Sequence, residues 1–383
     1  MSRLYSMRIA LLVVFVALLA AVAGSALAAF PETTSPEDLR AKYQNGTVRI
    51  LIMPGHEPTY GGAEQNGLRE RDIAVQISNK LAELLRTNPR YEVTVARDTA
   101  SWHPDLDTYF EEEWKDIQTF VKTKKRAMER MVRRGDVEDR SFEVAHNTAA
   151  TDVAYRLYGI NKWANEEGYD LAIHVHLNDN VGAEFQSGFA VYVPDQQYGN
   201  ARASRAVGEA IAFELNDFNA TSTLPIENHG IVEDQDLIAL GAFNTADFAS
   251  LLVEYGYIYE SKIAHPEARS VVFDDMAYQT YRGLQDFFGD PVSGDNTLAL
   301  PFAWTVDSLV VGSSSPQAYA LQAALHRLGF YPPQGQLLIG CPISGYVGEC
   351  TIQALKAFQA AKGLEQTGSI GPRTKAALQA AGF

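Results

Sequence analysis

The chain is short of positive charge. Its 383 residues include 32 Lys and Arg against 47 Asp and Glu, which gives a formal net charge of −15. A nucleic-acid-binding protein needs a basic surface for phosphate contacts, so this balance argues against nucleic acid as a partner. It also predicts no strong electrostatic attraction to anionic polymers or lipids, and any such binding must therefore come from specific sites.

Cysteine is nearly absent. Only Cys341 and Cys350 occur, close together near the C-terminus. In an exported protein, a pair like this indicates one local disulfide. The alternative is two free thiols that are buried as small apolar side chains.

A long hydrophobic run stands at the N-terminus. Arg3 and Arg8 precede an apolar run over residues 9–23, and residues 26–28 are small or apolar at cleavage spacing. This pattern predicts a secretory signal peptide over residues 1–28, with an uncleaved membrane anchor as the alternative. Cleavage leaves no stable membrane span and a charge of −15 − 2 = −17. No cysteine follows the run, so a lipoprotein is not expected.

The sequence also lacks a compact metal motif such as HExxH. Instead, candidate metal ligands are scattered along the chain at the ends of predicted strands and at the start of a predicted helix. His56 follows an apolar run at residues 48–53 and the break Pro54-Gly55, which places it at the end of a buried strand. Glu70 lies one turn before the apolar face of a predicted helix, on that same face. A carboxylate that points inward needs a partner, and a metal ion is one such partner.

Two further strands end in candidate residues. Alternation over residues 170–177 predicts a half-buried strand with His174 and His176 on one face. Glu254 ends another apolar run just before Gly256. Strand ends of this kind gather at one edge of an α/β sheet, where active sites form.

Two histidines and one glutamate are a sufficient protein ligand set for a catalytic zinc ion, which keeps one position open for water. A further carboxylate then serves as a base. Other interpretations stay open on the residues alone. The helix dipole favours a glutamate in a first turn without any metal, and histidines are also found hydrogen-bonded in loops and cores.

These elements follow one another in an order that resembles a known family. The pattern consists of Pro54-Gly55-His56, Gly67 with Glu70, Arg97 after a strand, Val175-His176-Leu177-Asn178 and Val253-Glu254-Tyr255-Gly256-Tyr257. Residues 48–289 thereby resemble the zinc-dependent N-acetylmuramoyl-L-alanine amidases, which cut the bacterial cell wall.

The resemblance implies that His56, Glu70 and His176 bind zinc and that Glu254 is the general base. Family members usually have serine where His174 stands, so His174 is either an alternative ligand or a residue behind the ligands. His176 is favoured as the ligand because Asn178 completes the family pattern around it.

The chain departs from the family between Arg97 and Asp170, where it is longer. Apolar residues at near-helical spacing in this insertion predict one or two amphipathic helices, followed by a basic run over residues 122–134. An ordinary solvated helix that covers the fold is one interpretation. The other, suggested by aromatic residues 102–114, is a lid or a site for an activator protein at residues 102–134.

Glycine, serine and proline in residues 290–314 predict a linker. Residues 315–383 then predict a small module of three helices, in which a turn at Gly348 with Thr351 is repeated at Gly371 with Thr374. This module resembles the peptidoglycan-binding domain at the ends of many wall hydrolases.

The sequence thus predicts an α/β catalytic domain at residues 46–289, with a mostly parallel central sheet flanked by helices, and a small all-α three-helix domain. The expected function is a secreted cell-wall hydrolase that uses zinc (Zn²⁺) and water to cleave the amide between N-acetylmuramic acid and L-alanine of peptidoglycan. A zinc peptidase that cuts within the stem peptide is the alternative, and a wall-binding protein without activity is a third. The expected location is the periplasm or the cell exterior.

Overall fold

A computed structural model describes residues 29–141, 149–179, 186–290 and 309–383. The predicted signal peptide, residues 1–28, and most of the predicted linker, residues 290–314, lie outside the described residues.

Eight strands occur in the described part of the chain. In chain order they are β1 (Val48–Pro54), β2 (Glu64–Gln65), β3 (Leu68–Arg69), β4 (Tyr91–Val95), β5 (Leu171–Asn178), β6 (Ala190–Pro194), β7 (Ile231–Asp234) and β8 (Ala249–Tyr257). Six of them form the central sheet, in the order β4-β1-β5-β8-β6-β7, and β2 and β3 pair with each other. Strands β4, β1, β5 and β8 are parallel, while β6 is antiparallel to β8. The predicted mostly parallel central sheet is confirmed.

The helices of the described residues are α1 (Pro36–Asn45), α2 (Glu70–Leu85), α3 (Pro104–Arg134), α4 (Thr151–Glu166), α5 (Ala201–Phe218), α6 (Ser261–Ala264), α7 (Pro266–Phe288), α8 (Pro316–Arg327), α9 (Glu349–Ala361) and α10 (Pro372–Ala380). Proline in the first turn starts α1, α3, α7, α8 and α10, where its missing N–H costs no hydrogen bond. None of the helices in these described ranges is both long and apolar enough to cross a membrane.

Helices cover both faces of the sheet. In β1, Ile50 and Ile52 pack in one core with α2, whereas Leu51 and Met53 pack with α3 and α4 on the opposite face. The predicted half-buried character of β5 is wrong, because all but one of its residues are buried. Strand β5 lies between β1 and β8 in the middle of the sheet, and parallel strands in that position are covered on both sides.

The insertion contains one long helix rather than two short ones within residues 104–134. The apolar residues that indicated a helix are buried, namely Leu106, Phe110, Ile117 and Val121. They pack with α4 against the sheet or beside it. Helix α3 therefore covers the fold with its apolar face, and its role as a lid or activator site stays a prediction.

The three C-terminal helices, α8 to α10, share the main hydrophobic core with the sheet domain. Tyr319 of α8 donates its hydroxyl hydrogen to the Asp275 carboxylate of α7 at 2.8 Å. His265 stacks on Tyr346 with ring centroids 4.9 Å apart. A disulfide joins Cys341, in the loop before α9, to Cys350 in the first turn of α9. In the described structure the two predicted domains thus pack against each other. We call the contact between α7 and α8, where Asp275 meets Tyr319, the seam.

Candidate metal centre

Strand β1 ends in a tight turn that carries His56 at the carboxyl edge of the sheet. His56 has a φ of 68°, a left-handed conformation that is uncommon for a residue with a side chain. The buried guanidinium of Arg97 supports this turn, since Nε donates to the Pro54 carbonyl at 3.1 Å and Nη2 donates to the Gly55 carbonyl. Surrounding contacts of this kind are what hold a strained residue in place at a functional site.

Glu70 is the first residue of α2, and it is only 3% exposed. Its Oε2 accepts a hydrogen bond from the Ala63 N–H at 2.9 Å, and its Oε1 accepts one from the Leu177 N–H at 3.0 Å. These two bonds tie the start of the helix to the glycine-rich turn and to β5. The carboxylate is therefore held in one orientation between them.

His176 projects from the end of β5, and its Nδ1 lies 3.0 Å from Glu70 Oε1. Glycines allow the backbone to come close to both imidazoles. A Cβ on Gly55 would lie 2.5 Å from His176 Cε1, and a Cβ on Gly62 would lie 2.7 Å from His56 Cδ2. The turns around the site thus require glycine for steric reasons.

The fold brings His56, Glu70 and His176 together, with one donor atom from each within 4.8 Å of the others. His56 Nε2 lies 2.8 Å from Glu70 Oε2. Within the described ranges, these three residues are the group of His, Cys, Asp and Glu side chains whose spacing suits a metal ion.

Buried polar atoms test whether a metal fits here. Among the described residues, His56 Nε2 is buried and makes no hydrogen bond of good geometry, although Glu70 Oε2 lies close to it. A buried nitrogen without a partner is costly, and a cation shared with the carboxylate removes that cost. The donor set of two nitrogens and a carboxylate oxygen is one that zinc favours.

The charge of the site is set by Glu70. Burial by itself raises the pKa of Glu70, but the nearby imidazoles of His56 and His176 lower it by more, so its pKa lies well below the usual range. The carboxylate is therefore ionised and can act as an anionic ligand.

His174 lies on the same strand face as His176 but outside the group of three. It pairs in register with Met53 and Leu252, farther from the edge of the sheet. Burial and then the charge of His176 lower the pKa of His174 to about 3, although a hydrogen bond with the Ala239 backbone opposes this. The ring is therefore neutral at physiological pH.

Glu254 is beside His176, its partner in the register between β5 and β8. It is 4% exposed, and its Oε2 has no hydrogen-bond partner among the described residues. Burial, and then the charges of Glu70 and Glu227, raise the pKa of Glu254 well above its ordinary value. A carboxylate in such an environment is a stronger base than one in water, as a group that takes a proton and later returns it must be.

Sequence patterns did not single out Glu227, which the fold places beside Asn178. Glu227 is fully buried, and its Oε1 accepts from Asn178 Nδ2 at 2.9 Å and from the Tyr192 hydroxyl at 2.7 Å. It lies in a polar loop between α5 and β7, where a glutamate is expected to face solvent. Neither periodicity nor a motif marks it.

Comparison with protein families agrees with this geometry. Residues 50–286, more than half of the chain, match the family model of N-acetylmuramoyl-L-alanine amidase. Residues 314–378 match the model of a peptidoglycan binding domain. No curated protein sequence matches the chain.

Several solved structures are similar at low identity. The CwlD amidase from Clostridioides difficile, in complex with the GerS lipoprotein, is 17% identical with a TM-score of 0.43, over 63% of this chain and 99% of that chain. The amidase Ami1 from Mycobacterium smegmatis is 15% identical with a TM-score of 0.42, over 64% and 98% of the two chains. The amidase AmiC2 of Nostoc punctiforme is 17% identical with a TM-score of 0.40, over 64% and 98%. On the family model, the chain belongs to the N-acetylmuramoyl-L-alanine amidases, which are hydrolases of the cell wall, and it carries a peptidoglycan-binding domain at its C-terminus.

Proposed function

We propose that this amidase is an exported, zinc-dependent enzyme that hydrolyses the amide between N-acetylmuramic acid and the L-alanine of the stem peptide. His56, Glu70 and His176 hold the metal in this proposal. The observation that supports it most is the convergence of three donor atoms within 4.8 Å, one of which, His56 Nε2, is buried without a hydrogen-bond partner among the described residues.

A bound zinc ion supplies a Lewis acid that polarises the scissile carbonyl and makes water more acidic. The chain supplies the remaining parts. Glu70 is fixed by the backbone N–H groups of Ala63 and Leu177, so its carboxylate does not reorient during the reaction. Electrostatic groups that are already in position need no reorganisation when charge develops.

Glu254 is the proton carrier of the proposed reaction. It takes a proton from the water that attacks the carbonyl carbon, and it gives that proton to the amide nitrogen as the carbon–nitrogen bond breaks. Its burial and its position beside His176 support this role.

The remaining parts of the chain are consistent with work on a wall polymer. Residues 46–289 form the catalytic domain of the proposal, and residues 315–383 bind peptidoglycan. Residues 1–28 direct export to the periplasm or the cell exterior and are then removed. An activator that binds at residues 102–134 remains part of the proposal, on the exposed face of α3.

Digestion of purified peptidoglycan by the mature protein tests the proposal. The fragments are identified by mass spectrometry, with and without a chelator and after zinc is restored. We expect intact stem peptides that disappear with chelator and return with zinc. Stem peptides cut internally would show instead a zinc peptidase, and no release by a folded, zinc-loaded protein would contradict the proposal.

A further inference from the structure

A carboxylate that the proposed reaction does not use lies beside Asn178, two residues after His176 on β5. Glu227 is 0% exposed. Each hydrogen bond described for its carboxylate comes from a neutral donor, namely Asn178 Nδ2 at 2.9 Å, the Tyr192 hydroxyl at 2.7 Å and the Tyr257 hydroxyl at 3.2 Å. Three donors from different parts of the sheet therefore hold this carboxylate in one orientation.

The three donors belong to the strands around Glu254. Asn178 ends β5, Tyr192 lies in β6, and Tyr257 ends β8. Glu254 pairs with His176 of β5 on one side and with Ala190 of β6 on the other. Glu227 thus joins the three strands that frame the proton carrier, although it comes from a loop outside the sheet.

A carboxylate only accepts hydrogen bonds, and this fixes the direction of its partners. Asn178 must turn its amide nitrogen to Glu227, so its carbonyl oxygen turns away from Glu227. Asn178 stands two residues after His176, at the same strand end. Its carbonyl oxygen is thereby available to accept an N–H of a bound amide substrate.

We propose that Glu227 is a positioning residue, which orients the Asn178 side chain so that it can hold the amide substrate beside Glu254. This inference rests on the proposed function. It assigns to the loop between α5 and β7 a part in the site that composition and motif do not indicate.

Two variants at Glu227 separate orientation from charge. Glu227 Oε1 accepts the hydrogen bonds from both Asn178 and Tyr192. A glutamine whose side-chain oxygen takes the place of Oε1 keeps both bonds. Its side-chain nitrogen can then donate to the Tyr257 hydroxyl oxygen. Glu227→Gln should therefore keep most of the wild-type kcat. Glu227→Ala removes the acceptor, and kcat should fall about 10- to 100-fold with little change in KM, because a misplaced group near the reacting atoms costs this much.

A matched control accounts for simple loss of stability. Glu214 is also buried, at 4% exposure, and it pairs with Arg282 in the helix layer. Glu214→Ala should lower the melting temperature and leave the kcat of the folded, zinc-loaded protein unchanged. If Glu227 has a merely structural role, Glu227→Ala will behave in the same way, and the inference is then overturned.

A double-mutant cycle with Asn178→Ala tests the route through Asn178. If Glu227 acts by orienting Asn178, the double variant should lose no more kcat than Asn178→Ala alone. Fully additive losses, or a Glu227→Gln variant as slow as Glu227→Ala, would contradict the inference while wild-type release of stem peptides upholds the proposed function. Absence of stem-peptide release by the zinc-loaded wild type would overturn both.

Discussion

Two regions of this molecule bury carboxyl groups, and the two regions differ in how many of the carboxyl oxygens are hydrogen-bonded. At the seam between α7 and α8, both oxygens of Asp275 are bonded, Oδ1 by Gln279 Nε2 at 3.0 Å and Oδ2 by the Tyr319 hydroxyl at 2.8 Å. At the metal centre, Oε2 of the buried Glu254 has no partner among the described residues.

The difference separates a region built for stability from one built for chemistry. A buried polar group that is fully bonded stabilises a unique packing, whereas one left without a partner costs about 1–3 kcal/mol. In the described part of the chain the centre carries two such atoms, Glu254 Oε2 and His56 Nε2, whereas at the seam the amide oxygen of Gln279 lacks a partner but the Asp275 carboxylate is fully bonded. We therefore expect changes at the centre to affect turnover, and changes at the seam to affect stability.

The largest expected effect is that of Glu254→Gln. Glutamine has nearly the same shape but cannot carry the proton, so kcat should fall by about 10²- to 10⁴-fold. Thermal unfolding should change little, since Glu254 Oε2 makes no described hydrogen bond. Release of stem peptides from peptidoglycan measures kcat, and a near-normal rate would remove Glu254 from the mechanism.

Matched substitutions of His176 and His174 on β5 distinguish a metal ligand from a neighbouring histidine. His176→Gln should weaken zinc binding by more than the 10- to 100-fold typical of residues behind a ligand, roughly 10³-fold, whereas His174→Gln should stay within about tenfold. The reason is that His174 lies outside the group of three donors. Isothermal titration with zinc gives both affinities, and a larger loss in His174→Gln would exchange the two roles.

The seam should show its own pH dependence. Burial raises the pKa of Asp275 to about 6, against hydrogen bonds from Tyr319 and Gln279 that lower it, while the ordinary value is 3.8. Between these two pH values the folded protein holds a proton that the unfolded chain has lost, so the free energy of unfolding falls as pH rises through this window. The fall is at most about 3 kcal/mol, at about 1.4 kcal/mol for each pKa unit.

Denaturant unfolding of wild type and Asp275→Asn between pH 4 and pH 7 checks this expectation. The asparagine variant should lack the fall. Parallel curves for the two proteins would show that Asp275 does not titrate in this window.

The smallest effect is expected from Tyr319→Phe at the same seam. It leaves Asp275 Oδ2 without its donor and should lower the free energy of unfolding by about 1–3 kcal/mol. The kcat on a small soluble amide substrate should not change. If the fully folded Tyr319→Phe variant lost turnover, the contact between α7 and α8 would contribute to activity. The distinction between that contact and the metal centre would then be wrong.

Much of the site could be predicted because strand ends carry it. Apolar runs before His56 and Glu254 located the carboxyl edge of the sheet, and the period of two in β5 placed His174 and His176 on one face. The choice between these two histidines could not follow from periodicity. It depends on which of them lies level with Glu70, and that is set by the packing of α2 against β5.

Long-range contacts account for what the sequence did not reveal. Glu227 meets Asn178 across 49 positions of sequence, and Tyr319 meets Asp275 across 44. Each contact forms only in the completed fold, so the residues next to it in the sequence do not predict it. For this reason the C-terminal helices were expected as a module behind a linker, while the structure packs them on α7.

Zinc binding by two near-isosteric variants, Glu70→Gln and Glu254→Gln, distinguishes the metal ligand from the proton carrier. Both glutamates are buried in one centre, at 3% and 4% exposure, and both variants should be inactive. We expect Glu254→Gln to bind one equivalent of zinc as tightly as wild type and Glu70→Gln to bind it at least about 100-fold more weakly. Equal zinc affinities in the two folded variants would contradict the assignment of ligand and proton carrier.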